Sequence, residues 1–370
     1  MMNFSKDILV LLEPTNACNL RCLHCYHADT GYDTKIMEIG TLERFLSILA
    51  PNYSTIKIIW HGGEPLLAGF EFFEKAYKMF DTFSNKFDCK FRFNLQTNGT
   101  LLTDEFIVLF QANKTSISIS YDGPYNSYMR QQTEKVEKVI AKLQEQGVPF
   151  SCLATVSSKS INHLLDMYEC FKQRNIPVKF NHIFPDGAAK QHEDFSLSKE
   201  EWTNNFIELF NYWLYDKKCN IRVASCVDLL HQYFGVKSGC LNHGCLFRYI
   251  AIDAYGDIYP CGRLIKDGFK LANVFEISDV REAFLSKPFL NILKDNEIRI
   301  TSCKKCKWIT KCNSGCNASC LLDGSLQRKS SFECYVTNMV YDNIEVRLSE
   351  IDLCNINPYA QKIIKENLTK

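Results

Sequence analysis

The chain has 370 residues, of which 46% are hydrophobic, and a formal net charge of +1. This is enough apolar chain for a large domain and a smaller one, and the near-neutral charge gives no reason to expect nucleic acid or a membrane as partner. Because no export signal is seen and no apolar run approaches about 18 residues, we expect a cytoplasmic protein.

Residues 7–218 alternate between short β-rich apolar runs and longer segments with helical spacing. The predicted strands are Ile8–Leu12, Ile56–Trp60, Phe91–Thr97, Ser116–Tyr121, Phe150–Val156 and Val178–Ile183. The predicted helices are 41–50, 70–84, 103–113, 131–146, 160–174 and 198–217. Strand-helix units with short connections predict a parallel βα architecture, in which ligands bind at the carboxyl ends of the strands.

Three cysteines follow the first predicted strand, with the spacing Cys18-x3-Cys22-x2-Cys25. Thiolates this close can share one metal site, and a four-iron cluster held by three cysteines leaves one iron open to a ligand. The residues alone leave a zinc knuckle as an alternative. The spacing resembles the signature of the radical S-adenosylmethionine (SAM) enzymes. That resemblance implies a catalytic [4Fe-4S] cluster that binds SAM and cleaves it to a 5′-deoxyadenosyl radical.

A glycine-rich loop, Gly62-Gly63-Glu64-Pro65, follows the second predicted strand. Two glycines allow a backbone to approach a ligand closely, although such a turn alone would be an ordinary loop. The segment resembles the GGEP motif of radical SAM enzymes, whose backbone meets the amino group of SAM. The resemblance therefore implies that these four residues bind SAM.

Polar residues follow the third and fourth strands, in segments that are otherwise only turn signals. They resemble the QTNGT and S-x-DGP segments of the subgroup that contains anaerobic sulfatase-maturating enzymes and ribosomal-peptide maturases. The resemblance implies that Gln96, Asn98 and Ser120 contact the ribose and carboxylate of SAM, together with Arg130, although the His-Asp that usually precedes this arginine is absent. His24 stands where an aromatic residue commonly packs near the adenine, and it is interpreted either as a stacking imidazole or as a surface histidine.

The last third of the chain, from about residue 236, is rich in cysteine. Without an export signal, metal ligation is favoured over a disulfide scaffold, and the spacing resembles the SPASM extension of radical SAM proteins. Mapped residue by residue, the resemblance implies one auxiliary cluster on Cys240, Cys245, Cys261 and Cys316, and a second on Cys303, Cys306, Cys312 and Cys334. A pair of zinc ribbons is the alternative. Cys320 is left open as a replacement ligand, a redox thiol or a buried side chain.

The remaining cysteines lie in otherwise ordinary segments, where such residues are usually small buried hydrophobes. They are Cys89, Cys152, Cys170, Cys219, Cys226 and Cys354. The resemblance then covers nearly the whole chain. It implies a partial (β/α)6 TIM-like barrel over residues 1–235 and a SPASM domain over 236–370, with three [4Fe-4S] clusters and SAM.

Two closed auxiliary clusters favour an oxidative reaction, because such clusters can accept an electron. The leading hypothesis is a maturase that forms a carbon-carbon or thioether cross-link in a ribosomally made peptide. The alternative is oxidation of a cysteine or serine to formylglycine, as in sulfatase-maturating enzymes. Those enzymes carry an aspartate base where this chain has Gly262, so Asp253, Asp257 or Tyr255 would have to replace it.

The partners implied are a peptide or protein substrate and an external electron donor of the flavodoxin or ferredoxin kind. Only residues 1–7 precede the first predicted strand, so leader-peptide recognition is expected from a separate protein or from the barrel surface. A small-molecule substrate is less favoured, since related enzymes of that kind have reduced C-terminal domains. A non-catalytic iron-sulfur electron carrier is the hypothesis from another class, and it would need neither the GGEP nor the QTNG loop.

Overall fold

The structure is a computed structural model that describes residues 5–27, 33–236 and 245–368. The chain divides into two compact units. The first comprises residues 1–120, 130–150 and 245–294, and the second comprises residues 121–129, 151–244 and 295–370.

The secondary structure alternates strictly up to β6. The strands are β1 (Asp7–Leu12), β2 (Thr55–Trp60), β3 (Lys90–Thr97), β4 (Ser116–Ser120), β5 (Phe150–Val156), β6 (Val178–His182), β7 (Tyr249–Ile252), β8 (Asp257–Tyr259) and β9 (Ala272–Asn273). The helices are α1 (Ile39–Leu49), α2 (Phe70–Phe87), α3 (Asp104–Ala112), α4 (Thr133–Glu145), α5 (Leu164–Gln173), α6 (Lys199–Tyr215), α7 (Ala224–Tyr233), α8 (Lys287–Ser302), α9 (Ile309–Cys312), α10 (Asn317–Leu322), α11 (Ser331–Ser349) and α12 (Pro358–Leu368).

The strands of the first unit form an open sheet in the order β4-β3-β2-β1-β7-β8-β9. All pairs from β4 to β7 are parallel, whereas β8 runs antiparallel to both of its neighbours. Val10 of β1 lies between Ile58 of β2 and Ile250 of β7, and all three side chains are fully buried. Helices cover such parallel strands on their faces, which explains their continuous apolar sequence.

Helix α2 shows how this core is built. Its aromatic side chains recur at helical spacing and pack on Trp60 at the end of β2, with ring centroids of Trp60 and Phe73 4.9 Å apart. Tyr77 accepts a hydrogen bond from the Trp60 indole at 3.2 Å, so the polar atom of the buried indole is satisfied. This packing fixes the end of β2, from which the glycine-rich loop leaves.

In the second unit β5 and β6 pair in parallel, and most of the remaining chain is helical. Arg299 of α8 is fully buried there. Its guanidinium donates to the carbonyl of Ser314 at 3.1 Å and to the side-chain oxygens of Asn296 and Asn317 at 2.8 and 2.6 Å. A buried cation that is bonded on several sides anchors the cysteine-rich segment to α8.

All six predicted strands and all six predicted helices are confirmed, with ends that differ by a few residues. The strands β7 to β9 and the helices α7 to α12 were not predicted. The predicted domain boundary at residues 235 and 236 stays a prediction. No helix in the described part of the chain is long and apolar enough to cross a membrane.

Candidate active site at the carboxyl ends of the strands

Cys18, Cys22 and Cys25 lie in the loop after β1 and are half-buried. The amide of Cys25 donates to the carbonyl of Cys22 at 3.2 Å, which makes a turn between the last two thiols. Burial, and then the neighbouring Glu64, Cys22 and Cys25, raise the pKa of the Cys18 thiol to about 11. Cys22 and Cys25 are therefore close enough to Cys18 to act on its thiol. A bound metal reverses such a shift, because a coordinated thiol is deprotonated.

The glycine-rich loop packs directly against the start of the cysteine loop. A Cβ atom at Gly62 would lie 2.3 Å from the carbonyl oxygen of Thr15, and one at Gly63 would lie 2.2 Å from that of Ala17. The amides of Gly63 and Glu64 donate to these same two carbonyls at 3.2 and 2.7 Å. Sequence reasoning assigned the glycines to close approach of a ligand, and the structure shows that close approach of the two loops already requires them.

Glu64 joins this loop to the end of β3. Its side chain is fully buried, and burial raises its pKa to about 7 although three donors oppose the rise. Its carboxylate accepts hydrogen bonds from the Leu66 amide at 3.1 Å, the Thr97 hydroxyl at 2.8 Å and the Asn98 amide at 2.7 Å. Glu64 therefore connects the glycine-rich loop to the end of β3 through hydrogen bonds.

The predicted polar residues after β3 and β4 lie together, as expected. The Asn98 side-chain amide is 3.9 Å from the sulfur of Cys18 and donates to the Asn19 side chain at 2.9 Å. The side-chain amide of Gln96 donates to the Ser120 hydroxyl at 2.8 Å. The Asn98, Gln96 and Ser120 side chains are all half-buried, and Asn98 lies next to the cysteine loop. Their contact with SAM stays a prediction.

His24 and Arg130 also lie close to each other. Burial and the positive charge of Arg130 hold the pKa of His24 well below its usual value, so this imidazole is neutral. His24 is half-buried, so both interpretations of this residue stay open. A role for either residue in binding SAM stays a prediction.

The four cysteines predicted for the second auxiliary cluster surround one cavity of about 210 Å³ in the second unit. Cys303 and Cys306 lie in the turn after α8, and Cys312 is the last residue of the short helix α9. Cys334 lies in the long helix α11. Burial, followed by the neighbouring Cys334, raises the pKa of Cys312 to about 11. Four convergent thiols around a cavity of several water volumes fit a closed cluster.

The other auxiliary set is described only in part. Cys240 lies outside the described residues. Cys245 precedes β7 and Cys261 follows β8 in the first unit, whereas Cys316 precedes α10 in the second. This ligand set stays a prediction.

The cysteines without a predicted ligand role have different environments. Cys320 is fully buried in α10. Cys89, Cys152, Cys219 and Cys226 are buried as expected. Cys170 is only half-buried and Cys354 is exposed, so the expectation of burial is wrong for these two.

Sequence reasoning missed a largely buried group, formed by the buried Glu13 and His27 and the half-buried His61. One polar atom from each side chain lies within 4.8 Å of the others. Burial lowers the pKa of His27 to about 3 and that of His61 to about 4, and burial, followed by the charge of Asp253, raises the pKa of Glu13. Glu13 and His61 directly follow β1 and β2. Because ligands bind at the carboxyl ends of parallel strands, every polar residue in that position is a candidate, and these two could have been predicted.

The position of the missing aspartate, Gly262, lies beside Glu13. A Cβ atom at Gly262 would be 2.3 Å from Leu11 Cδ2 and 3.6 Å from the Glu13 carboxylate, so no larger residue fits there without rearrangement. Of the suggested replacements, Asp253 lines a small cavity together with Glu13, and burial raises its pKa to about 6. Asp257 pairs with Lys270 at 2.6 Å, and Tyr255 is exposed.

Comparison with protein families identifies two domains. Residues 12–184 match the model of the radical SAM superfamily, and residues 240–307 match that of the SPASM iron-sulfur cluster-binding domain. The chain therefore contains a radical SAM domain followed by a SPASM domain, and it is an enzyme with the open parallel-sheet fold of the radical SAM sulfatase-maturating structures. Its cofactors are iron-sulfur clusters and SAM.

The most informative relatives are anaerobic sulfatase-maturating enzymes. The chain is 27% identical to the cysteine-type enzyme of Clostridium perfringens, over 83% of this chain and 88% of that one. It is 25% identical to the serine-type enzyme of Bacteroides thetaiotaomicron, over 85% and 83% of the two chains. A solved structure of native anSMEcpe with bound AdoMet and Kp18Cys peptide is 26% identical, with a TM-score of 0.81 over 93% of this chain and 98% of that chain.

Proposed function

We propose that this enzyme oxidises a side chain of a peptide or protein substrate, in the manner of the anaerobic sulfatase-maturating enzymes. The observation that carries the proposal is the convergence of Cys303, Cys306, Cys312 and Cys334 around one cavity. A closed set of four thiolates leaves no iron free for substrate, so it suits acceptance of an electron, which an oxidation needs and a redox-neutral reaction does not.

We propose that the enzyme holds three [4Fe-4S] clusters. Their ligands would be Cys18, Cys22 and Cys25, then Cys240, Cys245, Cys261 and Cys316, then Cys303, Cys306, Cys312 and Cys334. The effect of Cys22 and Cys25 on the pKa of the Cys18 thiol fits this assignment, because such an effect needs neighbouring charges. When bound, SAM supplies the 5′-deoxyadenosyl radical that abstracts a hydrogen atom from the substrate.

The residues around the open site would bind and orient SAM. Asn98 lies next to the Cys18 sulfur and carries an amide that can bond a carboxylate, while Gln96 and Ser120 present a linked amide and hydroxyl. Glu64 is fully occupied by three donors, so its part is to hold the loops. The backbone of Gly62 and Gly63 is the segment proposed to meet the amino group of SAM.

A cavity of about 180 Å³ at the carboxyl end of β6 is the proposed place for part of the substrate. His182, Phe184, Phe332 and Glu333 line it, and the rings of His182 and Phe332 are 4.5 Å apart. A pocket with aromatic walls and two carboxylates, those of Asp323 and Glu333, suits a peptide side chain. The likeness to a structure that holds the Kp18Cys peptide favours a peptide over a small molecule.

The relatives favour formylglycine as the product, because cysteine-type and serine-type sulfatase-maturating enzymes both align over more than four-fifths of this chain. Gly262 favours the second candidate, oxidative cross-linking of a ribosomally made peptide, since a glycine cannot supply the base that the aspartate of the maturases supplies. An external reductase of the flavodoxin or ferredoxin kind is part of both proposals. A separate leader-binding protein belongs only to the second.

The two products can be separated in one experiment. Reconstituted enzyme is incubated anaerobically with SAM, a reductant and a sulfatase-type peptide that contains cysteine or serine, and the peptide is treated with a hydrazide before mass spectrometry. A trapped aldehyde supports formylglycine, and loss of two hydrogens without an aldehyde supports a cross-link. Sustained 5′-deoxyadenosine formation, with every peptide tested unchanged and no stimulation by peptide, would contradict a peptide substrate.

A further inference from the structure

The largely buried group of Glu13, His27 and His61 is not part of the proposed cluster or SAM sites. Glu13 follows β1, His27 lies two residues beyond Cys25, and His61 follows β2. Their polar atoms converge within 4.8 Å, and Glu13 Oε1 is 3.7 Å from His27 Nε2. Two imidazoles and one carboxylate therefore meet at one point, from three separate segments of the first unit.

This group contains buried polar atoms without a hydrogen-bond partner among the described residues. Glu13 is only 2% exposed, and neither its Oε1 atom nor His61 Nδ1 has a hydrogen-bond partner among the described residues. Burying a charged or polar group without a partner is costly, so such groups normally hold a ligand or an ion. The negative charge of Asp253 acts on Glu13 as well, which makes the site more attractive to a cation.

The distances also suit a shared cation better than a direct bond. At 3.7 Å the carboxylate and imidazole atoms of Glu13 and His27 are too far apart for a hydrogen bond. Two ligand atoms at about 2.0–2.2 Å from one tetrahedral ion lie roughly 3.3–3.6 Å apart, so the Glu13 and His27 atoms need to move by only a few tenths of an ångström to share an ion.

Neighbouring groups hold the side chains in place and give access. The ring of Tyr26 packs on that of His27 with centroids 4.3 Å apart, and the rings of His27 and His61 are 5.4 Å apart. A cavity of about 140 Å³, lined by Glu13, Asp253 and Lys35 among others, adjoins the carboxylate. It offers a path for an ion and room for water as a further ligand.

We propose that Glu13, His27 and His61 bind one divalent transition-metal cation of the zinc class. Two histidines and a carboxylate are a common ligand set for such ions, and three protein ligands leave a coordination position for water or a substrate group. The site is additional to the iron-sulfur clusters and does not depend on which peptide is modified.

Zinc binding to the reconstituted holoenzyme tests this proposal. Wild type, Glu13→Gln, His61→Gln and the control His163→Gln are dialysed anaerobically against buffered zinc, and zinc and iron are measured in the same samples. His163 is an exposed histidine outside the site, so its variant should match wild type. We expect one zinc per chain in wild type and affinity at least about tenfold weaker in the two site variants, since loss of outer-shell partners alone costs about 10- to 100-fold.

Unchanged iron in the variants shows that they fold and keep their clusters. Zinc binding that is absent from wild type, or equal in wild type and both site variants, would overturn the proposal. If the variants lose iron, zinc-edge X-ray absorption of wild type decides instead. A first shell of nitrogen and oxygen supports the site, whereas a sulfur shell places zinc on cysteines and contradicts it.

Discussion

The cysteine loop after β1 and the cysteine-lined cavity of the second unit hold thiols in different ways. The loop presents three thiols, and its backbone packs against the glycine-rich turn, which the hydrogen bonds of Glu64 hold in place. The cavity presents four thiols from short turns and the long helix α11, anchored in part by buried Arg299. A three-thiol site keeps one iron open to a ligand and a four-thiol site does not, so the first suits catalysis and the second electron transfer.

The strongest test of this contrast is removal of one thiol from the open site. Cys18→Ala should abolish 5′-deoxyadenosine formation, because two remaining thiolates cannot hold a SAM-cleaving cluster. Chromatography of anaerobic reactions with SAM and reductant measures it. Cys354→Ala, at an exposed cysteine outside both sites, is the control and should retain wild-type activity. Persistent deoxyadenosine in Cys18→Ala would refute the open cluster at this position.

Removal of one thiol from the closed site should separate the two activities. Cys312→Ala should keep part of the SAM cleavage and lose the oxidised peptide, since the radical still forms but the electron has no acceptor. Both products are measured in one reaction by chromatography and mass spectrometry. Full peptide product from this variant would show that the cavity in the second unit is not needed for the reaction.

A methyl group in the glycine-rich turn should disturb the open site through its backbone. In Gly63→Ala the Cβ would lie 2.2–2.6 Å from backbone atoms of Asn16 and Ala17, so the loops must separate. We expect a loss of about 1–3 kcal/mol in stability, as overpacking usually costs, and less iron bound at the open site.

Gly40→Ala is the matched control, because a Cβ there meets nothing within 4 Å. Denaturant unfolding and iron analysis measure both variants. Equal iron content and stability in Gly63→Ala and Gly40→Ala would show that the close packing of the two loops is unimportant.

A smaller loss of stability is expected when one hydrogen bond to Glu64 is removed. Thr97→Val removes the hydroxyl that donates to the buried carboxylate at 2.8 Å, at a cost of about 0.5–1.5 kcal/mol because two other donors remain. Burial raises the pKa of Glu64 to about 7, so its contribution to stability is full below its unfolded pKa and is lost as pH rises through about 7.

The hydroxyl matters most to the ionised carboxylate, so Thr97→Val should be more destabilising at pH 8 than at pH 5. Unfolding in denaturant at both pH values measures the difference. Thr82→Val, which removes an exposed hydroxyl bonded within α2, is the control. A cost for Thr97→Val that does not depend on pH would argue that Glu64 keeps one protonation state across this range.

Much of the fold could be predicted because its signals are local. The strands up to β6 are short apolar runs, and the helices between them have regular apolar spacing, so periodicity located both. β7 escaped prediction because it is four residues long and pairs with β1 from more than 200 residues away, which no local pattern reports. The long helix α11 escaped because its apolar residues do not form one clear stripe.

The site residues could likewise be predicted only where their signals are local. Cys18, Cys22 and Cys25 and the GGEP loop are contiguous motifs, so their spacing was enough to find them. Glu13, His27 and His61 come from three segments and become a group only when β1 and β2 pair and the cysteine loop folds back. The exposure of Cys354 was mispredicted because residue type alone reports an average burial and not a position.

The most direct test of the central claim is anaerobic iron and sulfide analysis of two reconstituted proteins. One is wild type, and the other replaces Cys303, Cys306, Cys312 and Cys334 together by alanine. One open and two closed four-iron sites predict about twelve irons in wild type and about eight in the variant, with SAM cleavage retained by both. Zinc in place of iron, or equal iron in the two proteins, would contradict the assignment of the open and closed sites.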